Sequence, residues 1–76
     1  MKPEINDLMI ASNKKMLKVD AVQHLEDGFR FRCVTMDPEH KSVVYDNYGR
    51  FLSGPFKFQD TTIAPAKKKD FPEYYR

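Results

Sequence analysis

The side chains able to act as soft ligands or strong nucleophiles are one thiol, Cys33, and two imidazoles, His24 and His40. A thiol beside an imidazole makes a nucleophile and its base. A hairpin turned at Asp27-Gly28 would bring His24 and Cys33 onto one face, so such a pair, or part of a metal site, can be written. The spacing argues against both. A structural zinc site takes four ligands in short paired spacings, and the sequence holds no such pair. Cys33 falls mid-strand among Phe29, Phe31 and Tyr45, where a thiol is ordinarily an inert core group. Gly28, Gly49 and Gly54 are far apart and each marks a turn, so no glycine-rich loop cradles phosphate. A chain this short has little volume for a pocket besides its core. The expectation is no catalytic residue, no cofactor and no metal: not an enzyme.

Two other sets of residues could bind something larger. Arg30, Arg32, Arg50 and Lys57 alternate outward along expected strands, and Tyr48 stands at a loop tip. A basic strand face with a stacking aromatic is how small open barrels take single strands of nucleic acid. Outward Arg and Lys are also what solvated strand faces carry, and Asp27, Asp37, Glu39, Asp46 and Asp60 dilute any basic patch. The second set lies at the C-terminal end. Lys67, Lys68 and Lys69 precede Phe71-Pro72-Glu73-Tyr74-Tyr75-Arg76, which packs Phe71, Tyr74 and Tyr75 into six residues. Tyr and Arg concentrate at interface hot spots, so this tail motif could dock on a partner, or fold back to cover an open edge of its own domain.

The elements that must position these residues follow from the turns. Asp27-Gly28 between apolar runs reads as a two-residue hairpin loop. Asp37-Pro38-Glu39-His40-Lys41 is a polar break with Pro early in the turn. Asn47-Tyr48-Gly49 fits a three-residue loop ending in a left-handed glycine, and Ser53-Gly54-Pro55 is a fourth break. Breaks every eight to twelve residues point to an all-β sandwich or barrel. The expected strands are 16–25, 29–36, 42–46, 50–52 and 56–63, joined as a meander. The N-terminal segment is a short strand at Leu8-Met9-Ile10, turned at Ser12-Asn13-Lys14, or a single helix through Ile5, Leu8, Met9 and Ser12; the strand is favoured. Residues 64–76 read as an extended tail.

Register sharpens this reading. A loop at Asp27-Gly28 pairs Leu25 with Arg30, Val22 with Cys33 and Val19 with Met36. The tip of that hairpin then carries Val22, His24, Phe29, Phe31 and Cys33 on one face, and its far end carries Val19, Ala21, Val34 and Met36 on the other. Side chains alternate with period two, so a flat ribbon cannot do this; a bulge at Ala21-Val22 or a strong bend can. Val43 and Tyr45 share the face of Cys33, Phe51 falls opposite Tyr45, and Asp46 comes beside Arg50 and Arg32.

Composition sets the outer bounds. The chain has 76 residues, enough for one domain. With 41% apolar and 32% charged residues it suits a folded protein, and six Phe and four Tyr can fill a small core. A single cysteine forms no internal disulfide, which favours a reducing compartment, the cytoplasm. No apolar stretch approaches the length of a membrane span, Met1-Lys2-Pro3-Glu4 lacks the apolar run of a signal peptide, and Met1 reads as a native start. A net charge of +2 does not by itself imply nucleic acid.

The expected fold is therefore mostly β: a small antiparallel meander closing into an open barrel over residues 1–63, with a basic and aromatic C-terminal tail over 64–76. Between about residues 7 and 63 the turn spacing resembles small barrels of the Src-homology-like kind, and the short single domain resembles an accessory protein of a phage or mobile element. The expected role is a non-enzymatic interaction module, with a protein partner favoured, bound through a strand edge, the outward face or the tail. The alternative is single-stranded or duplex nucleic acid, bound through Arg30, Arg32, Arg50, Lys57 and Tyr48. No membrane is expected, and a homodimer is open.

Overall fold

A computed structural model of the chain describes residues 2–67 and 69–74, the last of these by its backbone alone. Local turn chemistry sets the hairpins. Strand β1 (Leu8–Ala11) reverses into β2 (Met16–Leu25) through a turn in which the Asn13 Oδ1 accepts the Lys15 backbone N–H at 3.1 Å and Lys14 sits at φ 71°. The N-terminal strand is thus present, and the helical alternative is not. Strands β3 (Gly28–Thr35), β4 (Ser42–Asp46) and β5 (Phe51–Ser53) continue the meander, and β6 (Ile63–Pro65) returns to pair with β1. All six are antiparallel, in the order β5-β4-β3-β2-β1-β6. The two ends of the sheet meet at one isolated bridge, Arg50 with Thr62, so the sheet curls into an open half-barrel.

The curl depends on a phase change confined to one strand. On β3 the residues Phe31, Cys33 and Thr35 are all buried, so that strand keeps a single inward face. On β2 the inward residues are Leu17 and Val19 at one end, while Val22 packs on the core at the other. Odd and even positions can share a face only if one residue drops out of step, and the ladder skips Asp20 to achieve this. The expected bulge is real but sits one to two residues earlier than Ala21-Val22. The pairing of β2 with β3 is also two residues nearer the tip than expected: Leu25 faces Gly28, Val22 faces Phe31 and Val19 faces Cys33, so Glu26 and Asp27 form the loop. A shift of two preserves the faces near the tip. Val34 and Met36 are consequently not core, and Met36 is exposed.

The expected strand over 56–63 is corrected. Phe56–Phe58 is a 3₁₀ turn, closed by the Phe58 N–H to the Pro55 carbonyl at 2.9 Å and the Gln59 N–H to the Phe56 carbonyl at 3.0 Å. In a strand Phe56 and Phe58 would share a face; at three residues per turn they diverge. Phe58 fills the core at 0% exposure and Phe56 stands 87% exposed. Gly54 starts the excursion at φ 149°, where a Cβ would come within 3.1 Å of the Val43 Cα. Ala64 and Pro65, read in the sequence as the start of a tail, complete β6, and Ala66 is buried beside it.

A row of rings spans the inner face: Phe29 to Phe31 at 6.4 Å between centroids, Phe31 to Tyr45 at 6.1 Å and Tyr45 to Phe51 at 6.3 Å. Its one hydroxyl is satisfied. The Thr61 Oγ1 donates to the Phe58 carbonyl at 2.6 Å, which spends its only proton, so the Tyr45 hydroxyl donates to Thr61 at 2.8 Å. Among the described residues no buried side-chain polar atom lacks a partner.

Candidate functional site

The soft-ligand set does not assemble. His24 pairs across from Phe29 near the hairpin tip and is exposed, while Cys33 lies deeper along β3 at 0% exposure, and His40 belongs to the β3–β4 loop. Among the described residues no cluster of three His, Cys, Asp or Glu side chains could hold a metal ion. Burial, with a lesser contribution from the charge of Asp20, pushes the Cys33 thiol up to about 12. It stays protonated at neutral pH and is a poor nucleophile.

The outward arginines do assemble, except that Lys57 is elsewhere. Arg30 and Arg32 project from the outer face of β3 because Phe31 and Cys33, which alternate with them, fill the inner one. Asp46 shares that outer face, since it pairs with Arg30 in the β3–β4 ladder. Its Oδ1 accepts the backbone N–H groups of Tyr48 at 2.8 Å and Arg50 at 2.9 Å, and its Oδ2 accepts the Arg50 Nε at 3.0 Å. Burial would raise the Asp46 carboxyl, but those hydrogen bonds and the Arg50 charge outweigh it and hold the group below the usual carboxylate range. The Arg50 guanidinium in turn lies 5.1 Å from the centre of the Tyr48 ring, and Tyr48 is 74% exposed. Arg32 does not meet Asp46 as expected. It pairs with Asp20, the bulge residue, at 2.8 Å, and that hydrogen bond and charge raise it above its ordinary value. Arg30 donates its Nε to the Gln23 Oε1 at 2.6 Å. An open groove of about 520 Å³ runs over this face, lined by Gln23, Arg30, Arg32, Val44, Leu52 and Ser53.

Lys57 sits on the 3₁₀ turn, where it pairs with Asp37 at 3.7 Å. Asp37 belongs to the β3–β4 loop and borders a different groove, with Lys14 and Lys15. Of the tail motif, Lys67 and Lys69 are exposed, Phe71 is half-buried, and Tyr74 closes a second 3₁₀ turn, Pro72–Tyr74. Lys68 and Tyr75 lie outside the described residues.

The sequence named a strand edge without placing it; the structure leaves one along the outer half of β2. β1 has four residues and β2 has ten. Pairing on that side ends where the Asn6 N–H meets the Val19 carbonyl at 2.8 Å and the Val19 N–H meets the Asp7 carbonyl at 2.9 Å. The chain then turns away at residues 4–7, held by the Asp7 N–H to the Glu4 carbonyl at 3.0 Å, the Glu4 N–H to the Asp7 Oδ2 at 2.8 Å and Asn6 at φ 78°. Beyond that point Ala21, Gln23 and Leu25 direct their backbone groups to β3. By alternation Val22 and His24 direct theirs away from it. Among the described residues these groups have no partner. Beside the edge lies a groove of about 430 Å³, walled on one side by Lys2, Pro3, Glu4 and Ile5 and on the other by Val22, His24 and Phe29. The signal available in the sequence was the unequal length of the two strands.

No described helix is long and apolar enough to cross a membrane. Compared with family models, with curated proteins and with solved structures, the chain matches none, so the resemblance to Src-homology-like barrels stands on turn spacing alone.

Proposed function

We propose that this chain is a non-enzymatic interaction module, a small accessory or regulatory protein of the cytoplasm, which binds an extended segment of a protein partner by strand addition along the outer half of β2. The observation that carries this reading is the unpaired backbone of Val22 and His24 next to an apolar groove. Two residues offer two N–H donors and two C=O acceptors in strand geometry, which is what an added strand pairs with. Pro3, Ile5, Val22 and Phe29 supply apolar walls for alternate side chains of that strand, and Phe29 joins them to the row of rings in the core. The buried, protonated Cys33 fits a reducing compartment and asks for no chemistry at the site.

The test removes a single hydrogen bond without emptying the core. Proline is tolerated where a strand N–H faces outward, so Val22→Pro should fold and lose one donor of the edge. Peptides selected from a random library on the wild-type protein should bind Val22→Pro at least tenfold more weakly. They should also slow amide exchange at Val22 and His24. Selected peptides that bind the variant equally well, or that protect only other amides, would refute strand addition here.

A further inference from the structure

We propose that the outer face of β3–β4–β5 is a second, separate site that binds the phosphodiester backbone of a single-stranded nucleic acid. Arg30, Arg32 and Arg50 hold the phosphates there, and Tyr48 stacks on a base. This site does not depend on the β2 edge.

The three guanidinium groups are held in the same way. Each is tied through its Nε to a neighbour: Arg30 to Gln23 at 2.6 Å, Arg32 to Asp20 at 2.8 Å and Arg50 to Asp46 at 3.0 Å. A guanidinium carries five N–H donors. Anchoring Nε fixes the plane and turns the four Nη donors outward. Among the described residues those donors have no hydrogen-bonded acceptor. That is the edge that recognises phosphate in two-point fashion, and fixing it beforehand lowers the ordering cost of binding. Strand geometry places Arg30 and Arg32 about 7 Å apart, a spacing that neighbouring phosphates of an extended strand can follow. The exposed ring of Tyr48 lies against the third guanidinium, so a stacked base and a held phosphate can belong to one nucleotide. Val44 and Leu52 line the groove and offer apolar surface to the ribose.

Charge limits the strength. Three arginines against Asp20 and Asp46 leave 3 − 2 = +1 on this face. Binding should therefore be modest, salt-sensitive and dependent on stacking. A duplex hides its base faces and cannot use Tyr48, which selects the single strand over the duplex.

The test is fluorescence anisotropy with labelled 12-nucleotide oligo-dU, oligo-U and a duplex of equal length, in the full chain. Binding at low salt should weaken as salt rises, with a log–log slope near −2, because each phosphate contact to a single strand contributes about −0.7. Arg30→Gln with Arg32→Gln should weaken binding at least tenfold. Tyr48→Ala should weaken it about fivefold or more, the range expected for one lost stack. Lys57→Gln, on another face, should leave it unchanged. The thermal melt of each variant checks that it is folded. DNA and RNA arms of equal affinity assign the backbone and base as the ligand; preference for either names the sugar. The proposal is overturned by no binding at low salt, by a duplex bound as well as the single strand, or by equal loss in Lys57→Gln. Displacement by polyglutamate as readily as by unlabelled oligonucleotide also overturns it and gives the face to acidic peptides.

Discussion

Among the described residues the Tyr45–Thr61–Phe58 relay is the only buried side-chain hydrogen-bond chain that ties β4 to the Phe56–Phe58 turn, and its three members respond differently to deletion. Thr61→Val keeps shape but strips the acceptor from a buried phenol. The Phe58 carbonyl is still served by the Thr61 backbone N–H at 3.0 Å, so the cost falls on the stranded Tyr45 hydroxyl, about 1–3 kcal/mol. Tyr45→Phe is milder. Thr61 loses one incoming bond, but its own proton still reaches the Phe58 carbonyl at 2.6 Å, and the cost is about 0.5–1.5 kcal/mol. In the double variant no hydroxyl is stranded, so its cost falls below the sum of the singles by about 1 kcal/mol. For a domain of this size 1 kcal/mol moves Tm by about 4–8 °C. Urea titrations followed by circular dichroism, with unchanged m-values, give the four free energies. The reasoning fails if Tyr45→Phe costs as much as Thr61→Val, or if the two are additive.

Two further predictions follow from the turns. Gly49 sits at φ 79°, where a β-branched residue is strained, so Gly49→Val should cost about 1–3 kcal/mol, read as a lower urea midpoint; an unchanged midpoint would refute the assigned loop. Asp37 and Asp46 both titrate below the usual carboxylate range, Asp37 chiefly through the Thr35 hydroxyl and Asp46 through hydrogen bonds that outweigh its burial. A carboxyl depressed in the folded state stabilises it above the unfolded value and loses that contribution as pH falls through the folded one. Thermal stability should thus be flat from neutral pH to about 5 and decline below about 4, and Asp46→Asn should make the decline shallower; an equally steep decline in the variant would remove Asp46 from the account.

What could be read in the sequence was whatever local chemistry decides. The hairpin loop at Asn47-Tyr48-Gly49, the break at Asp37–Lys41 and the turn after Ala11 each carry their own turn residues, and with them came β1 to β4 and the pairing of Tyr45 with Phe51. The clash of phases in β2 announced a bulge, but any residue between Asp20 and Val22 could have been the extra one. Non-local decisions stayed hidden. Nothing near Ile63 says that it will join β1, and Phe56-Lys57-Phe58 alternates as a strand would, although Phe58 reaches the core through a 3₁₀ turn. The site divides the same way. Alternation alone put Arg30 and Arg32 outside, whereas their anchors Gln23 and Asp20 depend on register, and Lys57 left the group because its strand became a turn. The free edge at Val22 and His24 exists only because a short strand lies beside a long one.

The return of β6 to β1 bears on how the chain comes together. The four hairpins from β1–β2 to β4–β5 join neighbours in sequence and can form as soon as they are synthesised. The pairs Met9 with Pro65 and Ala11 with Ile63 join residues near opposite ends of the 76-residue chain. Contacts of such separation form late and slow the search. During synthesis β1 therefore waits with one side bare until residues 63–65 have emerged, and the order of events follows the topology: arms first, seam last.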